Sequence, residues 1–282
     1  MKKTSIQFSF VLFFVLTTLV QAQLRDSSPI GTGETIIERF SPPQGFHRVQ
    51  VESHSFAEFL RGLPLLPENS PVQDYRGRIF KAAGDSTIAA VINLNIKGKK
   101  LEQCMDIILR LYAEYCLQSN KPEMIGFLLP DKSMLYWRDW IQGWRPIQTR
   151  GEFPLHKTGI IDSSRESFES YLQEIFYNAS TQTNYFGLPG IPVDSIAIGD
   201  FIIKKGMRGH AVLLVDMIEN AAGDRMGLFA QGDTPACQMH ILRNNATPWI
   251  PLDFKLSHPE LPIRKKMYWQ GLRRLGMEGQ EK

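Results

Sequence analysis

A thiol, an imidazole and a side-chain amide are the groups in this chain from which nucleophilic chemistry can be assembled. Cys104 stands about three residues into a predicted helix, whose first turn carries partial positive charge that favours a thiolate. His210 opens the run Ala211-Val212-Leu213-Leu214-Val215-Asp216 directly after Gly209, which sets a base on a rigid strand with room for close approach. Gln231 ends the next predicted strand, and if the two strands pair its amide lies beside His210 and orients the ring. Asp216 lies on the same predicted face as His210 but ~20 Å along the strand at ~3.3 Å per residue, too far to be the third member. Cys104 as nucleophile, His210 as base and Gln231 as orienter make the pattern of a thiol-dependent amide hydrolase. The plainer alternative stays open: free cysteine is a common core residue, and Cys104 is then only packing in a non-catalytic protein that binds glycan or protein.

These groups need elements to hold them. Leu101, Cys104, Met105, Ile108, Leu111, Tyr112 and Tyr115 recur at helical spacing, predicting a helix from 101 to about 118. Glu102, Asp106, Arg110 and Glu114 mark its expected wet face, with Asp106 and Arg110 as an i,i+4 pair. A second helix is predicted from 164 or 165 to 177, capped by Ser163 or Ser164, and a short one over 56–60, capped by Ser55. Residues 47–51 and 87–96 read as strands. From 198 onward the pattern changes to strands over 200–204, 211–219, 226–231 and 238–242, separated by turns rich in Gly and Asn. Helices followed by such a meander predict an α+β fold, N-terminal helices packed on a C-terminal antiparallel sheet. The chain has no G-x-G-x-x-G and no P-loop, so dinucleotide and nucleoside-triphosphate chemistry is set aside. Tyr136, Trp137, Trp140 and Trp144 form an aromatic segment suited to stacking on sugar rings, although core packing is the commoner role of such a segment.

A resemblance is carried by Gly199-Asp200-Phe201-Ile202-Ile203, by Gly206 to Asp216, and by Leu228-Phe229-Ala230-Gln231. The helix stretch Leu101-Glu102-Gln103-Cys104-Met105-Asp106 extends it. Together these resemble domain of unknown function 4846, a family of exported bacterial proteins, over nearly all of the chain after residue 45. The family has no assigned reaction, so the resemblance implies boundaries and recurring residues. The Gly-Asp…Gly-His-Ala-Val segment is in turn similar to the histidine strand of NlpC-type and CHAP-type cell-wall peptidases, which use Cys, His and a third polar residue in that chain order. That likeness implies a papain-like core and a substrate that is peptidoglycan or another envelope amide. Two departures from the family pattern stand out: Lys100 occupies a place expected to hold an acidic helix cap, and Gly232-Asp233-Thr234 replaces a Ser-Tyr-Met-type stretch.

Of the 282 residues 43% are hydrophobic and 22% charged, which fits a globular chain and excludes wholesale disorder or collagen. Lys2 and Lys3 precede an apolar run over 6–20, and Val20-Gln21-Ala22 follows as a cleavage sequence, the layout of a secretory signal. The run falls short of the ~20 residues that span a bilayer, and the residue directly after the cut is Gln23, not a Cys. The expected organisation is therefore a signal peptide over 1–22, a flexible arm over 23–44 and a single α+β domain over 45–282. The expected location is periplasmic or secreted, with no stable membrane anchor after cleavage. The signal carries two lysines and no acid, so the formal charge of +3 falls to +1 on processing, and a nucleic-acid partner is not expected. Cys104 and Cys116 are ~18 Å apart on one helix, beyond disulfide reach, so any bridge uses Cys237. No spacing suggests a zinc site, and neither a metal nor a cofactor is expected. N-terminal sequencing of the exported protein should begin at Gln23; an envelope-located product retaining Met1 would restore the anchor reading.

Overall fold

Ala211-Val212-Leu213-Leu214-Val215 is apolar on both faces, as a strand covered on both sides must be, and it is the spine of the main sheet. The computed structural model describes residues 30–206, 208–245 and 247–276; the predicted signal peptide and its cleavage site lie outside the described residues. The described chain forms two compact units, Ala113–Ile175 and a larger one made of residues 30–112 and 176–276. Among the described residues no helix is long and apolar enough to cross a membrane.

In the larger unit eight strands form one antiparallel sheet, confirming the α+β class. The main path runs Leu272–Arg273, Phe201–Lys204, His210–Asn220, Arg225–Gln231, His240–Leu242, Ile88–Val91. Phe46–Arg48 pairs with the far end of the spine strand, and Ile250–Pro251 pairs with Arg225–Gln231. The strand expected over 87–96 is shorter and lies at the sheet edge. Beyond it Ile92, Leu94 and Ile96 are buried without continuing the ladder. Residues 30–44, read as an arm, include a helix, Ile36–Arg39, whose Ile36 is buried. Ile30 bridges to Leu94, and the Leu65 N–H donates to the Glu34 carbonyl at 2.7 Å.

The long helix, Cys104–Gln118, begins at Cys104 itself. Its expected wet face is corrected: Glu102, Asp106, Arg110 and Glu114 are all buried. Glu102, Arg110 and Glu114 are tolerated because charge meets charge, and Asp106 because its carboxyl accepts the Gln103 N–H and burial raises its pKa. Within the larger unit the Arg110 guanidinium lies 2.6 Å from Glu102 and over the Phe176 ring; in the smaller unit Arg165 lies 2.5 Å from Glu114. An i, i+4 stripe of charges thus marks a second packed face, and periodicity alone does not distinguish that from a solvated one.

In the smaller unit Trp137 stacks edge-on against Phe168, and the Trp140 indole N–H donates to Ser167 Oγ at 3.2 Å. Trp137 and Trp140 are therefore core, and of the aromatic segment only Trp144 is exposed. The Ser164 hydroxyl accepts from the Ser167 N–H at the start of the helix Arg165–Asn178, and Ser55 does the same for Glu58 at Phe56–Arg61.

A β-bulge in the spine strand between Leu214 and Asp216 resets its alternation. Asp216 consequently pairs across from Leu228, on the face opposite that of Phe229 and Gln231, rather than sharing a face with His210. There its carboxylate is fully buried and accepts from Arg61 Nε at 2.6 Å and Arg48 Nε at 2.8 Å. The two arginines tie the strand Phe46–Arg48 and the helix Phe56–Arg61 to the spine. Replacing Asp216 by Asn should cost about 3–5 kcal/mol of unfolding free energy, the penalty for uncompensated buried charge, read by urea denaturation; a loss below about 1 kcal/mol would show that the arginines find other partners.

Candidate functional site

His210, Gln231 and His240 lie in one row across three neighbouring strands. The register sets Gln231 directly opposite His240, and Leu213 opposite Ala230 leaves His210 one diagonal step from Gln231. The His210 Nε2 and Gln231 Oε1 atoms are 2.6 Å apart. Gln231 Nε2 is 3.2 Å from His240 Nε2, and His240 Nδ1 is 2.9 Å from the Gln238 carbonyl. One assignment of hydrogens satisfies all three contacts. Gln238 O can only accept, so His240 Nδ1–H donates to it and His240 Nε2 is an acceptor. The Gln231 amide N–H donates to that acceptor, which turns Oε1 toward His210 and makes His210 Nε2–H the donor. His210 Nδ1 then carries a bare lone pair, and that atom is buried with no hydrogen-bond partner among the described residues.

Burial is the leading influence on both rings. It lowers the His210 pKa against the Gln231 hydrogen bond, which raises it, and it pushes His240 down to about 4. Both imidazoles are thus neutral at pH 7, as the hydrogen-bond assignment requires.

Cys104 approaches from the helix. Gly232, directly after Gln231, makes this possible: a Cβ there would meet Ile107 Cδ1 at 2.7 Å and the Cys104 Cα at 3.5 Å. Gly209, before His210, admits the Thr181 side chain just as closely. The expected activation of the thiol by its helix start is corrected. Burial pushes Cys104 up to about 11; the Ala211 N–H and the Lys265 ammonium pull it down, while Asp106 and Asp233 oppose them. Burial also raises Asp106 to about 8, although its carboxylate accepts the Gln103 N–H at 3.0 Å in the manner of a capping box. Cys104, Cys116 and Cys237 are all free and buried, and Cys104 makes no hydrogen bond to His210 Nδ1. Among the described residues no group of three or more His, Cys, Asp or Glu is arranged to hold a metal ion.

Two cavities open on this cluster. One, of about 650 Å³, is lined by His210 and Gln231; the other, of about 620 Å³, by Cys104 and Gln103. Asp233 and Lys265 line both. Residue types and spacing assign His240 no role; only its place opposite Gln231, once the strand pairing is known, brings it into the row.

An α+β unit with a buried Cys, His, Gln cluster between helix and sheet is the class these features define. The chain belongs to the family described as domain of unknown function (4846), whose model matches residues 36–268. Neither a curated protein nor a solved structure matches the chain significantly.

The row makes a linkage prediction. His240, with a folded pKa near 4 against an ordinary 6.5, contributes stability that is present above pH 6.5 and lost as pH falls through about 4. Asp106, raised to about 8, works in the opposite sense, so wild type must be compared with His240→Gln. The stability difference in favour of wild type should shrink by about 3 kcal/mol between pH 7 and pH 4, measured by urea melts; a constant difference would mean that the ring is charged or exposed in the folded protein.

Proposed function

We propose that this protein is an exported thiol-dependent hydrolase of an amide in the cell envelope, with Cys104 as nucleophile, His210 as base and Gln231 as orienter. The observation that carries the reading is the His210 ring, whose Nε2–H is committed to Gln231 while its Nδ1 is left bare and buried. Such a ring is prepared to take a proton at one nitrogen and held in place by the other.

The steps follow from the protonation states. The resting thiol is protonated and the resting ring neutral. As sulfur bonds to the amide carbon, the thiol proton passes to His210 Nδ1 and the carbonyl π pair moves onto oxygen. Donors for that oxygen are the Cys104 backbone N–H at the helix start and the Gln103 side-chain amide, whose own oxygen is engaged by the Thr234 hydroxyl at 2.7 Å. The carbon–nitrogen bond then breaks, the amine leaving with the proton from Nδ1. Water, deprotonated by the same nitrogen, hydrolyses the thioester and returns the thiol. The imidazolium formed at each stage is stabilised by Nε2–H donation to Gln231.

Burial of Cys104 favours a second reading, a non-catalytic envelope protein in which the thiol is only packing. The buried Trp137 and Trp140 remove most of the aromatic surface on which glycan binding by that protein would rest. For the hydrolase, a thiol-directed acylating inhibitor at pH 7 should label wild type, while Cys104→Ala should lose the label and His210→Ala should be labelled at least ~10²-fold more slowly. Labelling by a simple alkylating agent should rise with pH beyond 9, because the thiol is raised. Equal labelling of wild type and Cys104→Ala, or no label in native wild type, selects the packed-cysteine reading.

A further inference from the structure

The two cavities differ in charge and polarity, and the difference specifies a ligand. The Cys104-side cavity is walled by neutral polar side chains, Gln103, Asn178, Ser180 and Gln182 among them, with Asp233 beside Arg208 and Lys265 and with Asp106, which burial raises to about 8. Its wall is polar, with one cation in excess at pH 7. The His210-side cavity has an apolar wall that includes Phe80, Ile88, Leu242 and Ile263, and its charged lining is Lys81, Arg264 and Lys265 against Asp233 alone. Lys81 is partly engaged by Asp85 at 3.4 Å. Among the described residues Arg264 makes no ion pair, and Lys265 reaches only the Gly209 carbonyl, at 3.4 Å. Two adjacent cations without carboxylate partners at the rim of an apolar cavity leave a site that is completed by an anion carrying an apolar body.

We propose that the His210-side cavity binds a carboxylate-bearing apolar group, with Arg264 and Lys265 holding the carboxylate and the wall of Phe80, Ile88 and Leu242 taking the apolar part. The proposal rests on the hydrolase reading for one point only, that this group is one side of the amide to be cut. The amide itself would then lie where Asp233 and Lys265, which line both cavities, come between them, and the other side of the substrate, polar, would extend past Cys104. A peptide ending in a free carboxylate two bonds from an apolar side chain has this chemistry; a neutral polysaccharide does not.

The test uses the mature protein carrying Cys104→Ala, so that no turnover intervenes, and two probes of equal shape, N-acetyl-leucine and N-acetyl-leucinamide, titrated by NMR. The acid should bind at least ~10-fold more tightly than the amide at low salt, and the preference should shrink at about 0.5 M salt. It should vanish in the protein that also carries Arg264→Gln and Lys265→Gln, with the wild-type fold verified by its spectrum. Should the double variant misfold, Arg264→Gln alone, at an exposed position, should reduce the preference several-fold. Equal binding of acid and amide, or an acid preference untouched by these substitutions, overturns the proposal. Because binding is read without the thiol, an acid preference in a protein whose Cys104 resists labelling retains the ligand class while overturning the hydrolase reading. A reactive Cys104 with no acid preference does the reverse.

Discussion

A fully paired sheet has no spare backbone groups to offer a buried side chain, so polar side chains in its covered face must satisfy one another. His210, Gln231 and His240 meet that requirement in a single chain of hydrogen bonds, and much of the larger unit is arranged around it. The chain closes at one end on the Gln238 carbonyl and stays open at the other, on His210 Nδ1. Because each contact determines the next hydrogen, the direction of the whole row follows from one backbone acceptor. The glycines beside it, Gly209 and Gly232, have no side chain where Thr181 and the start of the long helix need the space.

Buried polar groups elsewhere in the larger unit are of another kind. Asp216 with Arg48 and Arg61, Asp200 with Arg274, and Glu102 with Arg110 are charge pairs that bind separate elements together. In each of them a cation meets a carboxylate. The row is neutral throughout and its open acceptor is an imidazole nitrogen able to take a proton near neutral pH, which is why the functional proposal attaches to it and not to the ion pairs. The same burial that keeps both imidazoles neutral also keeps Cys104 protonated. On the proposed reading, the thiol is therefore activated during attack and not before it.

Much of this was legible from residue types alone. The strands around His210 and Gln231, the serine caps at Ser55 and Ser164, and the long helix follow from local pattern, because hydrophobic period and cap chemistry act over a few residues. What pattern could not supply was tertiary. His240 joins the row only through strand register; the bulge that turns Asp216 to the other face depends on pairing with Arg225–Gln231. The charges of the long helix look solvent-facing until their partners, distant in sequence for Glu114 and Arg165, are known. The thiol was misjudged for a related reason. A helix start favours a thiolate by a local field, but desolvation depends on everything packed above it, and here desolvation is the larger effect.

The central claim is that His210 keeps a bare Nδ1 while its Nε2–H is held by Gln231, and on the proposed reading that nitrogen is the base for the Cys104 thiol. Long-range proton–nitrogen NMR of the imidazole rings, at neutral pH, tests it most directly. His210 should appear as the Nε2–H tautomer and His240 as the Nδ1–H tautomer, and alkylation of Cys104 should shift the His210 Nδ1 resonance while leaving that of His240 in place. Both rings in the same tautomer, or a His210 Nδ1 resonance indifferent to the state of Cys104, would contradict the account.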